Sequence, residues 1–402
     1  MEERVLSARD QVALMLKNGI RFEICTEDEA EDFLSRSNLF FKVKAFDKNF
    51  DKYENHDNPK YGQYVNLDFA YLVDLSRKDA VLRELVLDLA LDLEHYLKVM
   101  VNRVLMESDL KVDVLIEEFF AFSKKKGLEQ IAQIPLCETA DVAAEELHHL
   151  STAFLNMRSS GKTKSELASI QARIFSAAYS LSSGIDCDHV ERSLRHLGSS
   201  RYSRKLVEKY GTLGAMQPWH FMEMASFGDF IAFFKFLFFD SEERDRLKRC
   251  PNVAADMQNA QHIKRLLFPA KTLRNAAAHN DCLLNELKRR MKEPIKSIHK
   301  YLIELDDISK LTIDKAWQIP AVHDYASLLI CYELLVPNGE TKVRVAREML
   351  ESANSFSENL SYYEGQDNVL CALTLIAEVT KCFSKRWQPS ERTVSSANKI
   401  VK

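Results

Sequence analysis

Apolar residues recur at helical spacing over most of this chain, and the elements they predict are helices. Ala8 to Asn18 carries Val12, Leu14 and Leu16. Thr26, followed by Glu27-Asp28-Glu29, has the chemistry of a helix start for a second helix over 26–36. Between them Gly19 to Ile24 reads as a short strand or an extended link. From Leu67 to about Met106 the spacing predicts two helices, the second with Leu82, Leu85, Val86, Leu89, Leu93, Tyr96, Leu97, Met100, Val101 and Val104 as its apolar positions. Glu94 and Lys98, the polar exceptions, are one turn apart and share a face, as an exposed ion pair would.

Residues 107–215 are helical in pattern but less uniform. Lys124-Lys125-Lys126-Gly127 punctuates one helix there and Ser159-Ser160-Gly161-Lys162 another. Gln217 to Phe230 is a dense aromatic helix with a break at Phe227-Gly228-Asp229. A helix follows over 269–280, with Pro269 in its first turn, where a missing N–H costs nothing, and a continuation through 282–292. A further helical region spans 295–386, with separators at Ile319-Pro320, Pro337-Asn338-Gly339 and Tyr363-Glu364-Gly365. From Gln388 the chain is rich in Ser, Lys and Asn and is expected to fray.

Composition agrees with this all-α reading. Among 402 residues there are only 11 glycines and 9 prolines, too few for a fold built on tight turns. A net charge of −4 gives no global attraction to nucleic acid, so any such contact must come from local patches. Two patches qualify. Residues 38–62 interleave Phe40, Phe41, Phe46 and Phe50 with Lys42, Lys44, Lys48 and Lys52, which suits stacking plus phosphate contact or, more plainly, a loop pinned by its aromatics. Arg192, Arg195, Arg201 and Arg204 form the second, alternatively a solvated charge run. The 8 cysteines contain no CxxC and read as reduced thiols. The opening residues lack a secretory apolar core, and the most apolar run, Phe230 to Phe239, is far short of the roughly 18 residues that cross a bilayer. A cytoplasmic protein without a membrane span is expected.

Most site chemistries find no support in the residues. Glu145-Glu146-Leu147-His148-His149 lacks the HExxH order that puts two imidazoles on one helical face, and Cys187-Asp188-His189 stands without a partner cluster, so no metal and no cofactor are expected. P-loop, GxGxxG and GxSxG patterns are missing. What remains is Leu273-Arg274-Asn275-Ala276-Ala277-Ala278-His279. At about 100° per residue, Asn275 falls about 100° and His279 about 140° round from Arg274, with Ala278 between them. A guanidinium grips phosphate oxygens bidentately, an imidazole moves protons near neutral pH, and an amide can orient either. RNA is the substrate that needs nothing more, because its 2′-hydroxyl is an internal nucleophile. One imidazole does not obviously serve as both base and acid, which leads to the expectation of a homodimer or an RNA-bound complex.

The ordered blocks resemble a known family. Asp10-Gln11-Val12 through Lys17-Asn18-Gly19-Ile20, then Ala30-Phe33-Leu34 and Leu39-Phe40-Phe41-Lys42, are similar to the opening of abortive-infection proteins of the AbiD/AbiF type, within the HEPN superfamily. Leu82-Arg83 with Asp92 to Lys98 resembles the first long HEPN helix, and Pro218-Trp219 through Asp229 a signature that precedes the catalytic helix. Leu273-Arg274-Asn275 with Ala278-His279 resembles the R-x4–6-H motif. Here three alanines precede the His and Asn280-Asp281-Cys282 follow it, where the family often has Cys-Ala before and basic or aromatic residues after.

The resemblance extends from about residue 10 to 285. It implies a HEPN helical-bundle core with Arg274 and His279 as catalytic residues, Asn275 as a motif neighbour and Glu94 as the acidic residue that holds the arginine. It also implies phage defence by RNA cleavage and, for some AbiF-type members, association with a small non-coding RNA. The expected organisation is an N-terminal helical, aromatic and basic segment (1–62), a HEPN core (63–292) with an insertion at about 107–215, and a C-terminal helical extension (293–402). Lys42, Lys44, Lys98, Arg192, Arg195, Arg201 and Arg204 are the expected RNA-binding residues. The alternatives are a non-catalytic RNA-binding protein acting with a small RNA and a helical scaffold with an accidental motif.

Overall fold

The computed structural model describes residues 6–37, 39–108, 110–132, 216–305 and 307–388, with His148, His149, Thr152, Lys205 and Lys209. Among them the fold is all-α, and β pairing is limited to two isolated bridges, Arg21 with Asp68 and Lys52 with Tyr64. The chain divides into two compact units, residues 1–100 with 258–402, and residues 101–257.

The first unit opens with α1 (Ala8–Lys17) and α2 (Glu27–Arg36), which pack on each other. Both begin with a capping box, Ser7 with Asp10 and Thr26 with Glu29, in which each hydroxyl and carboxylate satisfies backbone N–H groups that the first turn leaves unpaired. Gly19 to Ile24 is an extended link. Gly19 has φ +81°, and a Cβ there would lie 2.7 Å from the Gln63 Cβ, so this turn requires glycine. Residues 40–50 are pinned by their buried aromatics, while most of 51–62 is exposed. Phe40 and Val43 of α3 (Phe40–Ala45) and Phe46 of the following 3₁₀ turn (Phe46–Asn49) are buried, as is Phe50.

The stretch expected to be two helices is one, α4 (Phe69–Glu107). No glycine or proline interrupts it, so nothing in the backbone ends the first half. The later helices of this unit are α10 (Leu267–Ala278), α11 (Lys296–Ile303), α12 (Lys310–Ala316), α13 (Pro320–Leu335), α14 (Glu340–Ser357) and α15 (Asp367–Trp387). Pro320 opens α13 at its first turn, as the separator predicted. Helix α13 is buried on nearly every side, which marks the centre of the unit, and α10, α11 and α15 pack against it. Helix α15 also packs on α12 and α14.

The second unit contains α5 (Val112–Ala132), α6 (Pro218–Met224), α7 (Phe227–Lys235), a π turn (Phe236–Asp240), α8 (Arg244–Arg249) and the start of α9 (Ala254–Ile263). Its core is a phenylalanine cluster in which Phe119, Phe221 and Phe233 lie with ring centroids 5.2–5.5 Å apart. Two boundaries differ from expectation. Helix α5 runs through Gly127, because one glycine costs only about 1 kcal/mol in a helix. The break between α6 and α7 falls at Ala225-Ser226 and not at Phe227-Gly228-Asp229. Ser226 caps α7, accepting from the Asp229 N–H at 3.2 Å while its hydroxyl donates to the Asp229 carboxylate at 2.6 Å. The Ser159–Lys162 punctuation lies outside the described residues.

Candidate functional site

The motif helix stops sooner than its sequence suggests. Helix α10 ends at Ala278, His279 is its cap residue, and residues 280–292 are turns instead of a continuing helix. The cause is Asn280, which adopts the left-handed conformation with φ +59°. The Asn280 N–H donates to Ala277 O at 3.0 Å and the Asp281 N–H to Ala276 O at 2.8 Å. These two bonds are a Schellman termination, with asparagine in the place glycine usually takes. His279 itself remains in the ladder, its N–H donating to Asn275 O at 2.9 Å. Its Cβ therefore leaves the helix close to where a further helical residue's would, on the side shared with Asn275.

Arg274 is half-buried and its partners are close. One Nη donates to Asn275 Oδ1 at 3.1 Å, and the other lies 3.7 Å from Glu94 Oε2 on α4. A guanidinium has only donors, so the asparagine oxygen is the atom that must face it. Asn275 thereby turns its oxygen toward the arginine. Glu94 is shared, since Lys98 Nζ lies 3.0 Å from its Oε1. Lys98 is thus engaged in the predicted i,i+4 pair. His279 is exposed, and its imidazole makes no hydrogen bond to a described residue.

Lys42 arrives from α3, with Nζ donating to Asn280 O at 2.8 Å. A residue from the aromatic and basic segment therefore meets the carbonyl of the residue immediately after His279. Lys44 instead pairs with Asp47 at 3.6 Å, within its own segment. Arg192, Arg195, Arg201 and Arg204 lie outside the described residues.

Two positioning residues carry no local sequence signal. Asn49, 1% exposed, donates to Leu284 O and accepts from the Leu287 N–H, 2.7 and 2.8 Å away. Asp79 on α4 is fully buried, takes the Leu284 N–H at 2.8 Å and is paired with Arg83. Together they fasten the turn that follows the motif helix, and Leu284 and Leu287 are buried beneath it. Cys282 contacts Lys42 O, and burial pushes its thiol pKa up, which disfavours the thiolate.

Among the described residues, no group of three or more His, Cys, Asp and Glu side chains is placed to hold a metal, and no helix is long and apolar enough to cross a membrane. What the site offers is an arginine with its orientation set by a carboxylate and an amide, an exposed imidazole at the helix end, and a lysine beside it.

A family model described as Abi-like protein matches residues 32–285, a span that includes Lys42, Asn49, Asp79, Glu94, Arg274 and His279. No curated protein and no solved structure matches the chain.

Proposed function

The chain belongs to the Abi-like protein family, an abortive-infection family, and from that premise we propose that it is a metal-independent endoribonuclease of the AbiD/AbiF, HEPN type. The observation that carries this reading is Arg274, which lies on the helix that ends in an exposed His279 and is bracketed by Asn275 Oδ1 and by Glu94 from α4. In the proposed reaction the His279 imidazole takes the proton of a ribose 2′-hydroxyl, whose oxygen attacks the adjacent phosphorus. Arg274 neutralises the charge that builds on the phosphate oxygens. The bond to the 5′-oxygen breaks, and that oxygen leaves with a proton, giving a 2′,3′-cyclic phosphate and a 5′-hydroxyl. A second copy's imidazole supplies that proton in a homodimer. Lys42 lies close enough to Asn280 to hold a neighbouring phosphate. The reading places the reaction in the cytoplasm, in a HEPN core over residues 63–292. A small non-coding RNA, which the AbiF likeness implies, would regulate it.

The test is RNA cleavage and growth arrest in Arg274→Ala and His279→Ala variants. Both activities should vanish while thermal unfolding stays near that of the parent, and the products should carry cyclic phosphate ends. Cleavage or arrest retained in both variants refutes the catalytic assignment. A second reading is a non-catalytic ribonucleoprotein: the exposed Asp281 carboxylate, two residues beyond His279, would repel a phosphate placed for cutting there and leave RNA to bind elsewhere on the chain. It predicts co-purifying small RNA with intact 3′ ends.

A further inference from the structure

The sequence interleaves aromatic and basic residues around position 40, and the structure separates their roles. Phe40, Val43 and Phe46 point inward and fix α3 in the unit. Phe41 points the other way. It is 83% exposed, and its ring is braced edge-on against Phe40 with centroids 5.6 Å apart. A phenyl ring standing in water on a helix pinned by its other face contributes little to the core, and the burial of that other face sets where the ring emerges. Its chain neighbour Lys42 reaches the motif. Phe41 precedes Lys42, His279 precedes Asn280, and Lys42 Nζ donates to Asn280 O at 2.8 Å. The ring and the imidazole therefore each belong to the residue that precedes one partner of this hydrogen bond. An ammonium has three N–H groups, so the bond to Asn280 leaves two that can meet an anion.

We propose that Phe41 and Lys42 form a nucleotide subsite beside the Arg274–His279 face. Lys42 meets a backbone phosphate, and the Phe41 ring stacks the base adjacent to the phosphodiester that is cut. This rests on the endoribonuclease reading and adds to it a residue that sets nucleotide preference. An exposed ring beside a cation suits an unpaired base over an apolar protein surface, because a phosphate accompanies every base. Stacking accepts any base but favours the larger purine faces, so the subsite imposes a purine bias at one position flanking the cut.

The experiment uses the full chain and a randomised, end-labelled single-stranded oligoribonucleotide, with cut positions read by sequencing. Phe41→Ala should lower kcat/KM about ten-fold and flatten the purine bias at one flanking position. Phe41→Trp should restore both. Because the ring is exposed, the melting curve of Phe41→Ala should overlay the parent's. Unchanged rate and unchanged preference in Phe41→Ala overturn the subsite while leaving the nuclease reading intact. So does a purely protein role, seen as loss of a concentration-dependent dimer in Phe41→Ala with cutting preserved. If the parent chain and His279→Ala alike cut nothing, the nuclease reading fails. Binding of the same oligonucleotide in 2′-O-methyl form then decides the subsite, which stands if Phe41→Ala weakens binding and falls if affinity is unchanged.

Discussion

Replacing Asn49 by alanine removes the side chain that ties the 3₁₀ turn after α3 to the turn after α10. The native amide satisfies both the Leu284 carbonyl and the Leu287 N–H, and both leucines are fully buried. Alanine leaves one acceptor and one donor without partners in an apolar setting, at about 1–3 kcal/mol for each. Partial entry of water into the space left by the amide offsets some of this, so a net loss of about 3 kcal/mol is expected. For a unit of this size 1 kcal/mol moves Tm by about 2–4 °C, which gives a drop of about 6–12 °C. Asn49→Asp is the sharper variant. It keeps the acceptor for Leu287 but loses the donor, and it presses a carboxylate oxygen against the Leu284 carbonyl in a buried place. Despite being nearly isosteric, it should melt no higher than Asn49→Ala. Thermal unfolding by circular dichroism measures the loss, and hydrogen exchange at the Leu287 amide locates it. If both variants melt within about 2 °C of the parent, the two bonds do not carry the turn and the reasoning fails.

Two further outcomes follow from the charges. Glu94→Gln should reduce RNA cleavage, because Arg274 loses its carboxylate partner, yet leave Tm nearly unchanged. At 3.7 Å the two groups form a loose ion pair, and glutamine keeps an oxygen that can face the guanidinium, so the cost to folding should stay at about 1 kcal/mol. A large drop in Tm with cleavage intact would contradict the positioning role. Glu118 has its pKa raised from its ordinary 4.5, first by burial and then by Glu242 and Glu243. The folded chain therefore holds this proton at pH values where the unfolded chain has released it. Stability falls as pH rises through that window, and the full penalty is present at neutral pH. Glu118→Gln should accordingly raise Tm at pH 7, with the gain disappearing as pH falls below 4.5. A gain that persists in acid would show a cause other than ionisation.

Much of the fold is readable from local chemistry, because helix starts and buried stripes are local. The Thr26–Glu29 capping box, the first-turn prolines and the apolar period of α4 each announce themselves within a few residues. The ends of elements were harder, since each is a competition between signals. Gly228 drew the predicted break away from Ser226, although Ser-x-x-Asp is itself a start signature. Asn280 ended α10 where a continuation was expected, although asparagine is the usual substitute for glycine in the left-handed position. At the site, Arg274, Asn275 and Glu94 were legible as a periodic pattern plus a family likeness. Asn49 and Asp79 were not, because a hydrogen bond to residues more than 200 positions away leaves no mark in the spacing of either segment. The Lys42 contact was invisible for the same reason, and so was the division between the inward Phe40 and the outward Phe41.

The tie between Lys42 and Asn280 also sets when this site can exist. The two residues are 238 positions apart, and the Asn49 and Asp79 bonds to Leu284 span 235 and 205. A ribosome adding about 5–20 residues per second needs roughly 10–50 s to cover that interval. For most of it, α3 and α4 have been made while the motif helix has not. Whatever chemistry the face performs is withheld from the nascent chain and begins only after the turn behind His279 has cleared the exit tunnel. A truncated product ending between residues 280 and 283 would carry both Arg274 and His279 and still lack the bonds to Leu284 that fasten the following turn.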